Sequence, residues 1–297
     1  MDRVAPASRL ALTFTLGLAL AGLGVACSER PVPPSSPFSE LDAALRPPLQ
    51  VQAMRRLPSS HFTGTATFRV SAPPPPEGLG GGDDRVPRDT ITNNTELWLD
   101  RRGQYRLVEN NDQDGGRTVV RYGHDLAVAL RYGKTIRRPA QEPEPTRMLE
   151  EAVGAPWAAW ETVRRFADVS RGDAPGVYRL GRSTRPVALA SGQGQPTALR
   201  HWRDTVEVQQ LEGEVRLAPR TNVVLSCVLK ARFTAVREDH VPLNGELTVN
   251  TKLDGIGRTA PIVPPPAEEL DSRQRTILEE RTLLGDLSRG KEEVPVR

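Results

Sequence analysis

Three long segments of strand character near the end of the chain constrain its fold more than any other feature. They cover residues 204–218, 222–237 and 241–253, and short polar turns join them. At about 3.4 Å per residue, the first segment alone spans roughly 50 Å. Strands of that length must bend or coil, and Gly213 and Gly245 are the natural places for a bend. The segments therefore predict a strongly curved antiparallel sheet.

The first half of the chain repeats this pattern in shorter segments. Between residues 61 and 70, Phe62, Ala66 and Phe68 share one face and threonines occupy the other, which is typical of a half-buried strand. Further strands, separated by turn signals, fit residues 90–100, 104–110, 116–122, 125–131, 135–138 and 176–181. Residues 71–88 contain four consecutive prolines and a glycine-rich run, which predict a long loop between strands.

Helical periodicity predicts a smaller number of helices. They fit residues 39–45, with Ser39 as N-cap and Pro47–Pro48 as terminator, residues 50–56, residues 146–153, and a helix from Pro156 to about residue 169. The last one carries apolar residues at three- and four-residue spacing, namely Trp157, Trp160, Val163 and Ala167. Such a stripe must be buried, and the inner face of the sheet is its obvious partner. We therefore predict an α+β fold, an open half-barrel with helices packed on its concave side.

The N-terminal segment predicts how the protein is held in the cell. Arg3 and Arg9 precede an uncharged run of 17 residues, 10–26, which ends in small residues directly before Cys27. A basic start, an apolar stretch and a small-residue cleavage site describe a secretory signal peptide. With the cysteine that follows, the segment resembles a bacterial lipoprotein signal. That resemblance implies a mature N-terminus at Cys27 whose thiol carries acyl chains such as palmitate.

Two other interpretations of this segment stay open, a retained signal anchor and a plain cleaved signal with an incidental cysteine. A membrane-spanning helix needs about 20 apolar residues. We favour lipidation because the polar, proline-rich residues 27–38 would serve as a flexible tether. The expected organisation is a signal peptide at 1–26, a tether at 27–38, a single domain at 39–258, and an arm, charged helix (267–284) and polar tail within 259–297.

Composition and motifs point away from several classes of function. Without residues 1–26, 38 basic and 36 acidic residues remain, which argues against a nucleic-acid partner. No two of the four histidines have metal-ligand spacing, and a calcium-like loop at 110–115 has Arg121 where a glutamate is required. Cys227 lies in an apolar strand and is expected to be a buried small hydrophobe. We expect no metal, no cofactor and no catalytic residue, and therefore not an enzyme.

The order of elements resembles the LolA/LppX-type lipoprotein and lipid carriers from about residue 39 to 253. The stretch 54–65, in which a short helix leads into a first strand around Phe62, carries the likeness, and a meander, central helices and long returning strands follow. The chain departs from that family in its loop at 71–88 and its C-terminal helix. It also resembles uncharacterised lipoproteins of GC-rich Gram-negative bacteria in its hairpins at 131–139.

The resemblance implies an apolar cavity on the concave face that binds acyl chains. The candidate lining residues are Phe62, Phe68, Trp98, Leu107, Leu126, Trp157, Trp160, Leu225, Leu229 and Phe233. Each buried methylene of an acyl chain contributes about 0.8 kcal/mol, so such a chain can bind without a polar motif. For each residue, ordinary core packing is the alternative.

The sequence thus leaves three hypotheses. The first is a membrane-anchored, periplasm-facing lipoprotein that binds a lipid or acyl chain. The second is an anchored interaction or scaffold module of a cell-envelope complex, with a filled core and no ligand. An envelope hydrolase ranks last. Ser28, which follows the cysteine in place of an aspartate, implies the outer membrane by resemblance to well-studied lipoproteins.

Overall fold

A computed structural model describes residues 33, 36–71, 88–188, 202–236, 241–266 and 268–269. The predicted signal peptide, Cys27, almost all of the tether and the interior of the 71–88 loop lie outside these ranges. So does the predicted C-terminal helix, apart from Glu268–Glu269, which form a short strand instead. Within the described residues, none of the helices combines the length and apolar character needed to cross a membrane.

The strands form a single open sheet whose edges are the seventh and twelfth strands. In chain order they are β1 (Ser60–Ser71), β2 (Arg88–Leu99), β3 (Tyr105–Asn111), β4 (Gly116–Tyr122), β5 (Asp125–Leu130), β6 (Ile136–Pro139), β7 (Ala167–Arg171), β8 (Val177–Arg182), β9 (Glu207–Leu217), β10 (Val224–Val236), β11 (Pro242–Asp254) and β12 (Glu268–Glu269). Across the sheet the order is β12-β6-β5-β4-β3-β2-β1-β11-β10-β9-β8-β7. All pairs are antiparallel except β12 with β6. The predicted α+β class and open, curved antiparallel sheet are confirmed.

Among the residues that the structure describes, four helices of eight or nine residues cover one face of the sheet. They are α1 (Pro37–Ala44), α2 (Pro47–Met54), α3 (Glu144–Ala152) and α4 (Ala155–Val163). The Ser36 hydroxyl, rather than the predicted Ser39, caps α1 by accepting a hydrogen bond from the Ser39 amide at 3.2 Å. Pro47 and Pro48 start α2 rather than only ending α1, because proline fits the first turn of a helix, where its missing N–H is not needed.

The helix predicted to run to residue 169 is shorter than expected. It ends at Val163, a 3-10 turn covers Arg164–Phe166, and Ala167 begins β7. Ala167 continues the helical spacing of Trp160 and Val163, but its backbone pairs with Arg182 of β8. The hydrogen bonds of the sheet override the local periodicity here, and the prediction missed β7 for that reason.

The face beneath the helices, called the inner face, carries two apolar clusters. In the first, α1 and α4 pack on β8–β11, and Trp160 and Phe233 are buried at its centre. In the second, α2 and α3 pack on β1–β5 around Phe62 and Leu107. Side chains on a strand alternate between faces, and the strand register places these residues on the same side.

The opposite, outer face is polar over β1 and β11 and is partly covered by the segment after β11. This C-terminal arm, residues 255–266, is fastened near its start by the Thr259 amide, which donates to Ser59 Oγ at 3.1 Å. Further along, Ile262 packs on Val120 and Ala127, the outer-face residues of β4 and β5. The arm then reaches β12 at the β6 edge. It therefore crosses the outer face and leaves the inner face to the helices.

Gly245 is required for packing rather than only for bending. A Cβ atom at this position would lie 2.2 Å from Cζ of Phe233, whose ring sits over the glycine on the neighbouring strand. At Gly213, a Cβ atom would lie 2.4 Å from the carbonyl oxygen of Val228. Both glycines that the sequence suggested as bends are thus sites of close approach across the sheet.

We expect Gly245→Ala to destabilise the protein by about 1–3 kcal/mol, because the added methyl group overlaps the Phe233 ring in a packed core. The matched control is Gly181→Ala in β8, where an added Cβ meets nothing within 4 Å. We expect that change to stay within about 0.5 kcal/mol. Urea midpoints measure both effects, and equal midpoints for the two variants would contradict the packing role of Gly245.

A candidate lipid-binding groove

A groove of about 1000 Å³ lies between the inner face and the helices and opens to solvent. We call it the inner groove. Its floor is formed by β1, β2, β3, β4 and β11, and its roof by α3, α4 and a helical turn at 202–204. The two apolar clusters fill the space where the helices rest directly on the strands. The inner groove is the space that remains between them.

One part of the inner groove is apolar. The side chains that form it are Ala66, Phe68, Leu247 and Val249 on the floor and Trp157, Ala158, Ala159 and Trp202 on the roof. The rings of Phe68 and Trp202 are 6.2 Å apart between centroids, and each lies about as close to buried Phe233, at 6.0 and 5.9 Å. Phe68 and Trp202 border the apolar part, and Phe233 supports both rings from inside the core.

The turn that carries Trp202 is held in place from two sides. Arg203 Nη2 lies 2.9 Å from Glu161 Oε2, which ties the turn to α4. The Thr205 hydroxyl donates to the Trp202 carbonyl at 2.7 Å and accepts from the Val236 amide at 3.0 Å, which ties it to the end of β10. Trp202 therefore has a defined position beside the groove.

The other part of the inner groove is polar and charged. The side chains that form it are Asn93, Thr95, Glu109, Asn111, Arg117, Arg147, Glu150 and Glu151. Arg117 donates through Nε to Glu109 and through Nη2 to Glu151, the latter at 2.9 Å. Burial lowers the pKa of Arg117, but its hydrogen bonds with both carboxylates outweigh that effect and leave the pKa raised. The guanidinium is a fixed charge between two acids.

Nine of the ten predicted lining residues lie at the inner face and divide into three groups. Phe68 and Trp157 line the inner groove. Six others are closed inside the two clusters, namely Phe62, Leu107, Leu126, Trp160, Leu229 and Phe233. Leu225 is half-buried and packs on the second cluster. Helices lie directly over these positions, and close packing there leaves no room for a ligand.

Trp98 lies on the outer face, which corrects the expectation that it lines the concave side. Its neighbours Leu97 and Leu99 occupy the inner face, so alternation turns Trp98 outward. There its ring stacks on His61 at 5.0 Å, and the Arg106 guanidinium lies 5.1 Å from its centroid. The apolar run at 97–99 does not by itself reveal which residue faces outward.

His61 sits in a polar network on the outer face. Its Nδ1 lies 3.1 Å from Asp254 Oδ1 and its Nε2 lies 3.0 Å from Glu96 Oε1. Across the described residues, no group of three or more histidine, cysteine, aspartate or glutamate side chains has a geometry suited to a metal ion. Cys227 is fully buried, as predicted, and burial raises the pKa of its thiol to about 12.

Sequence reasoning missed most of the residues that line the groove. The alternation in β11 marks Leu247 and Val249 as inward-facing, and the same alternation in β1 marks Ala66. Trp202 carried no pattern, because it stands alone in a short turn. The contact of Arg117 with Glu151 joins β4 to α3 across 34 positions of the chain. No local pattern predicts such a contact.

Comparisons with known proteins leave the family of the chain open. No protein-family model matches the chain, and no curated protein matches it significantly. Similar solved structures include lipovitellin, described by its lipid–protein interactions, at 9% identity and a TM-score of 0.27, covering 72% of this chain and 27% of lipovitellin. Another is a DUF1329 family protein from Desulfovibrio piger ATCC 29098, at 12% identity and a TM-score of 0.22, covering 72% and 93%. The chain thus spans about a quarter of the lipovitellin length, and TM-scores this low assign neither family nor activity.

The roof of the groove is attached to α1 through Asp42. This carboxylate accepts hydrogen bonds from Trp160 Nε1 and Arg164 Nη1, both at 2.9 Å, and from Arg46 Nη2 at 3.1 Å. Burial raises the pKa of Asp42, but these three hydrogen bonds outweigh it and hold the pKa below its usual value. Arg46 and Arg164 also lie 5.7 and 5.4 Å from the centroid of Trp157.

We expect Asp42→Asn to destabilise the protein by about 1–3 kcal/mol at pH 7, because Arg164 loses its carboxylate in a mostly buried site. The folded-state pKa lies below the unfolded value of about 3.9, so this stabilisation is complete above that value. It is lost as the pH falls through the folded-state pKa. The difference between wild type and variant should therefore shrink below about pH 4.

Urea unfolding at pH 7 and below pH 4 measures the effect. Asp173→Asn is the control, since Asp173 also pairs with an arginine but its side chain is 88% exposed. We expect that variant to change stability by less than about 1 kcal/mol. A difference for Asp42→Asn that is the same at both pH values would contradict the role of its charge.

Proposed function

We propose that this protein binds the acyl part of a lipid in the inner groove. One observation carries the proposal, the open groove of about 1000 Å³ whose apolar part, formed by Phe68, Leu247, Val249 and Trp202, adjoins a polar part. Its volume lies at the upper end of the range of about 300–1000 Å³ for ligand pockets. An elongated ligand with an apolar tail and a polar end matches this division.

The energetics favour a long apolar chain. Burying about twelve methylenes contributes roughly 10 kcal/mol at about 0.8 kcal/mol each. Association costs about 4–15 kcal/mol in lost translational and rotational freedom. A long acyl chain therefore offsets much of that cost through burial alone, whereas a short polar metabolite has no comparable source of affinity in this groove.

We further propose that the protein is a lipoprotein held at the outer membrane, facing the periplasm, through acyl chains on Cys27. Residues 23–27, which resemble a lipoprotein signal, support the anchor. Position 28 is serine and not aspartate, which supports the outer membrane by resemblance to well-studied lipoproteins. An anchor of this kind would keep the groove close to a bilayer, the source of its ligand. The polar, proline-rich residues 27–36 would leave the domain free to turn toward the membrane.

A ligand-free interaction module of an envelope complex is the competing function. The observation that favours it is the closed packing of Phe62, Leu107, Leu126 and their neighbours, which fills the part of the inner face nearest α2 and α3. The two functions differ in one property, since only the carrier binds an apolar ligand in the inner groove. A direct binding measurement therefore separates them.

The first experiment tests the groove with N-phenyl-1-naphthylamine, a neutral probe whose fluorescence rises in apolar surroundings. The full chain carries Cys27→Ser, so that no attached acyl chain competes with the probe. Ala158→Trp should weaken probe binding about tenfold or more, because the indole narrows the groove from an exposed position on α4.

The control for this experiment is Thr248→Trp. Thr248 is exposed on the outer face of β11, directly before Val249 of the groove floor, and tryptophan suits an exposed strand position. We expect it to bind the probe as the parent does. Probe binding that is absent from the parent protein, or unaffected by Ala158→Trp, would reject the groove and favour the interaction module.

The second experiment tests the anchor by metabolic labelling with an alkyne fatty acid in the native host. We expect wild type to be labelled and to fractionate with outer membranes. Cys27→Ser should carry no label, since serine offers no thiol for acylation, while Cys227→Ser should keep the label because Cys227 is buried. Equal labelling of wild type and Cys27→Ser would overturn the anchor but leave the groove function untouched.

A further inference from the structure

The polarity of the groove floor changes at the boundary between β1 and β2. On the inner face, Ala66 of β1 pairs with Val249 of β11 on one side and with Asn93 of β2 on the other. Asn93 in turn pairs with Asn111 of β3. These four inward-facing residues are neighbours across the strands. Their side chains are apolar on β11 and β1 and are asparagine amides on β2 and β3.

The roof of the groove changes in the same direction. Above the apolar floor, α4 contributes Trp157, Ala158 and Ala159, and it packs against β10 and β11. Above the polar floor, α3 contributes Arg147, Glu150 and Glu151, and it packs against β2. Floor and roof together define the orientation of an amphipathic ligand, with its tail below α4 and its head group below α3.

Each arginine around the head-group position already faces a carboxylate of the protein. Arg117 lies between Glu109 and Glu151, and Arg147 Nε is 3.7 Å from Glu151 Oε1. At the other end, Arg203 is paired with Glu161. Among the groove residues that the structure describes, each arginine therefore faces a carboxylate, and Glu150 adds a further negative charge.

Resting on the proposed function, we propose that the ligand is an acyl lipid with an uncharged, hydroxyl- or ester-bearing head group, such as an acylglycerol. A carboxylate or phosphate head group would have to displace Glu109 or Glu151 from Arg117 and would face their like charges. A hydroxyl or ester group needs only hydrogen bonds. The side chains of Asn93 and Thr95 can supply them, and Asn111 can donate through Nδ2, since its Oδ1 already accepts from two backbone amides.

The test compares monopalmitoylglycerol with palmitate, which share one acyl chain and differ in head-group charge. Each displaces N-phenyl-1-naphthylamine from the full chain carrying Cys27→Ser, at pH 8 and at lipid concentrations below micelle formation. We expect monopalmitoylglycerol to displace the probe at a concentration about tenfold lower than palmitate, because the palmitate carboxylate would face Glu109, Glu150 and Glu151 while the nearby arginines are already paired.

Two variants assign the preference to the paired arginines. Glu151→Gln removes one carboxylate from both Arg117 and Arg147, so palmitate should bind more tightly and the difference between the two lipids should narrow to about threefold or less. Glu246→Gln removes the same charge on the outer face, where Glu246 pairs with Arg69 and Arg232. We expect that control to leave the difference unchanged.

The outcomes separate this inference from the proposed function. If both lipids displace the probe equally, or palmitate does so at lower concentration, the uncharged head group is overturned while lipid binding stands. If the preference exists but Glu151→Gln does not narrow it, the paired arginines are not its cause and the inference is overturned as well. If neither the probe nor either lipid binds, the proposed function itself fails.

Discussion

Helices α1 to α4 are too short to cover the sheet face on which they lie. The roof helices α3 and α4 have nine residues each and extend about 14 Å. The longest strands, β10 and β11, have 13 residues and extend about 44 Å. Apolar clusters form where helix and strand meet, and the inner groove is the space beside these clusters where helix and strand are not in direct contact. The groove is therefore a consequence of unequal element lengths.

The walls of this groove depend on a few contacts between distant parts of the chain. Asp42 connects α1 to the end of α4 through Trp160 and Arg164. Phe233 lies over Gly245 and supports the rings of Phe68 and Trp202. Each of these contacts joins two different elements. The positions of the floor and the roof of the groove therefore depend on side-chain packing between elements and not on any single strand. In the polar part, the ion pairs of Arg117 with Glu109 and Glu151 likewise join the floor to the roof.

Period-two patterns allowed several elements to be predicted with accurate bounds. The strand expected at 222–237 is observed as Val224–Val236, and the one at 241–253 as Pro242–Asp254. The edge strand β7 was missed because Ala167 continues the helical spacing of α4. Trp98 was placed on the wrong face because its neighbours Leu97 and Leu99 are apolar too. The local pattern fits either a helix or a strand at Ala167, and either face of the sheet at Trp98. Pairing with β8 makes Ala167 part of a strand, and pairing with β1 turns Trp98 to the outer face.

The amino-acid sequence by itself determined the class of fold, since alternation over long segments permits little other than a curved antiparallel sheet with helices on one side. It also determined which residues are apolar enough to be inward-facing, including Phe68, Leu229 and Phe233. Only the tertiary structure decided that Phe68 borders a groove while Leu229 and Phe233 are closed in the core. The physical reason is that the same alternation of apolar and polar residues fits a side chain buried under a helix and one that borders a groove. Whether a side chain is closed in the core or borders the groove depends on where the short helices pack on the sheet. Long-range contacts such as the one between Asp42 and Trp160 determine those positions.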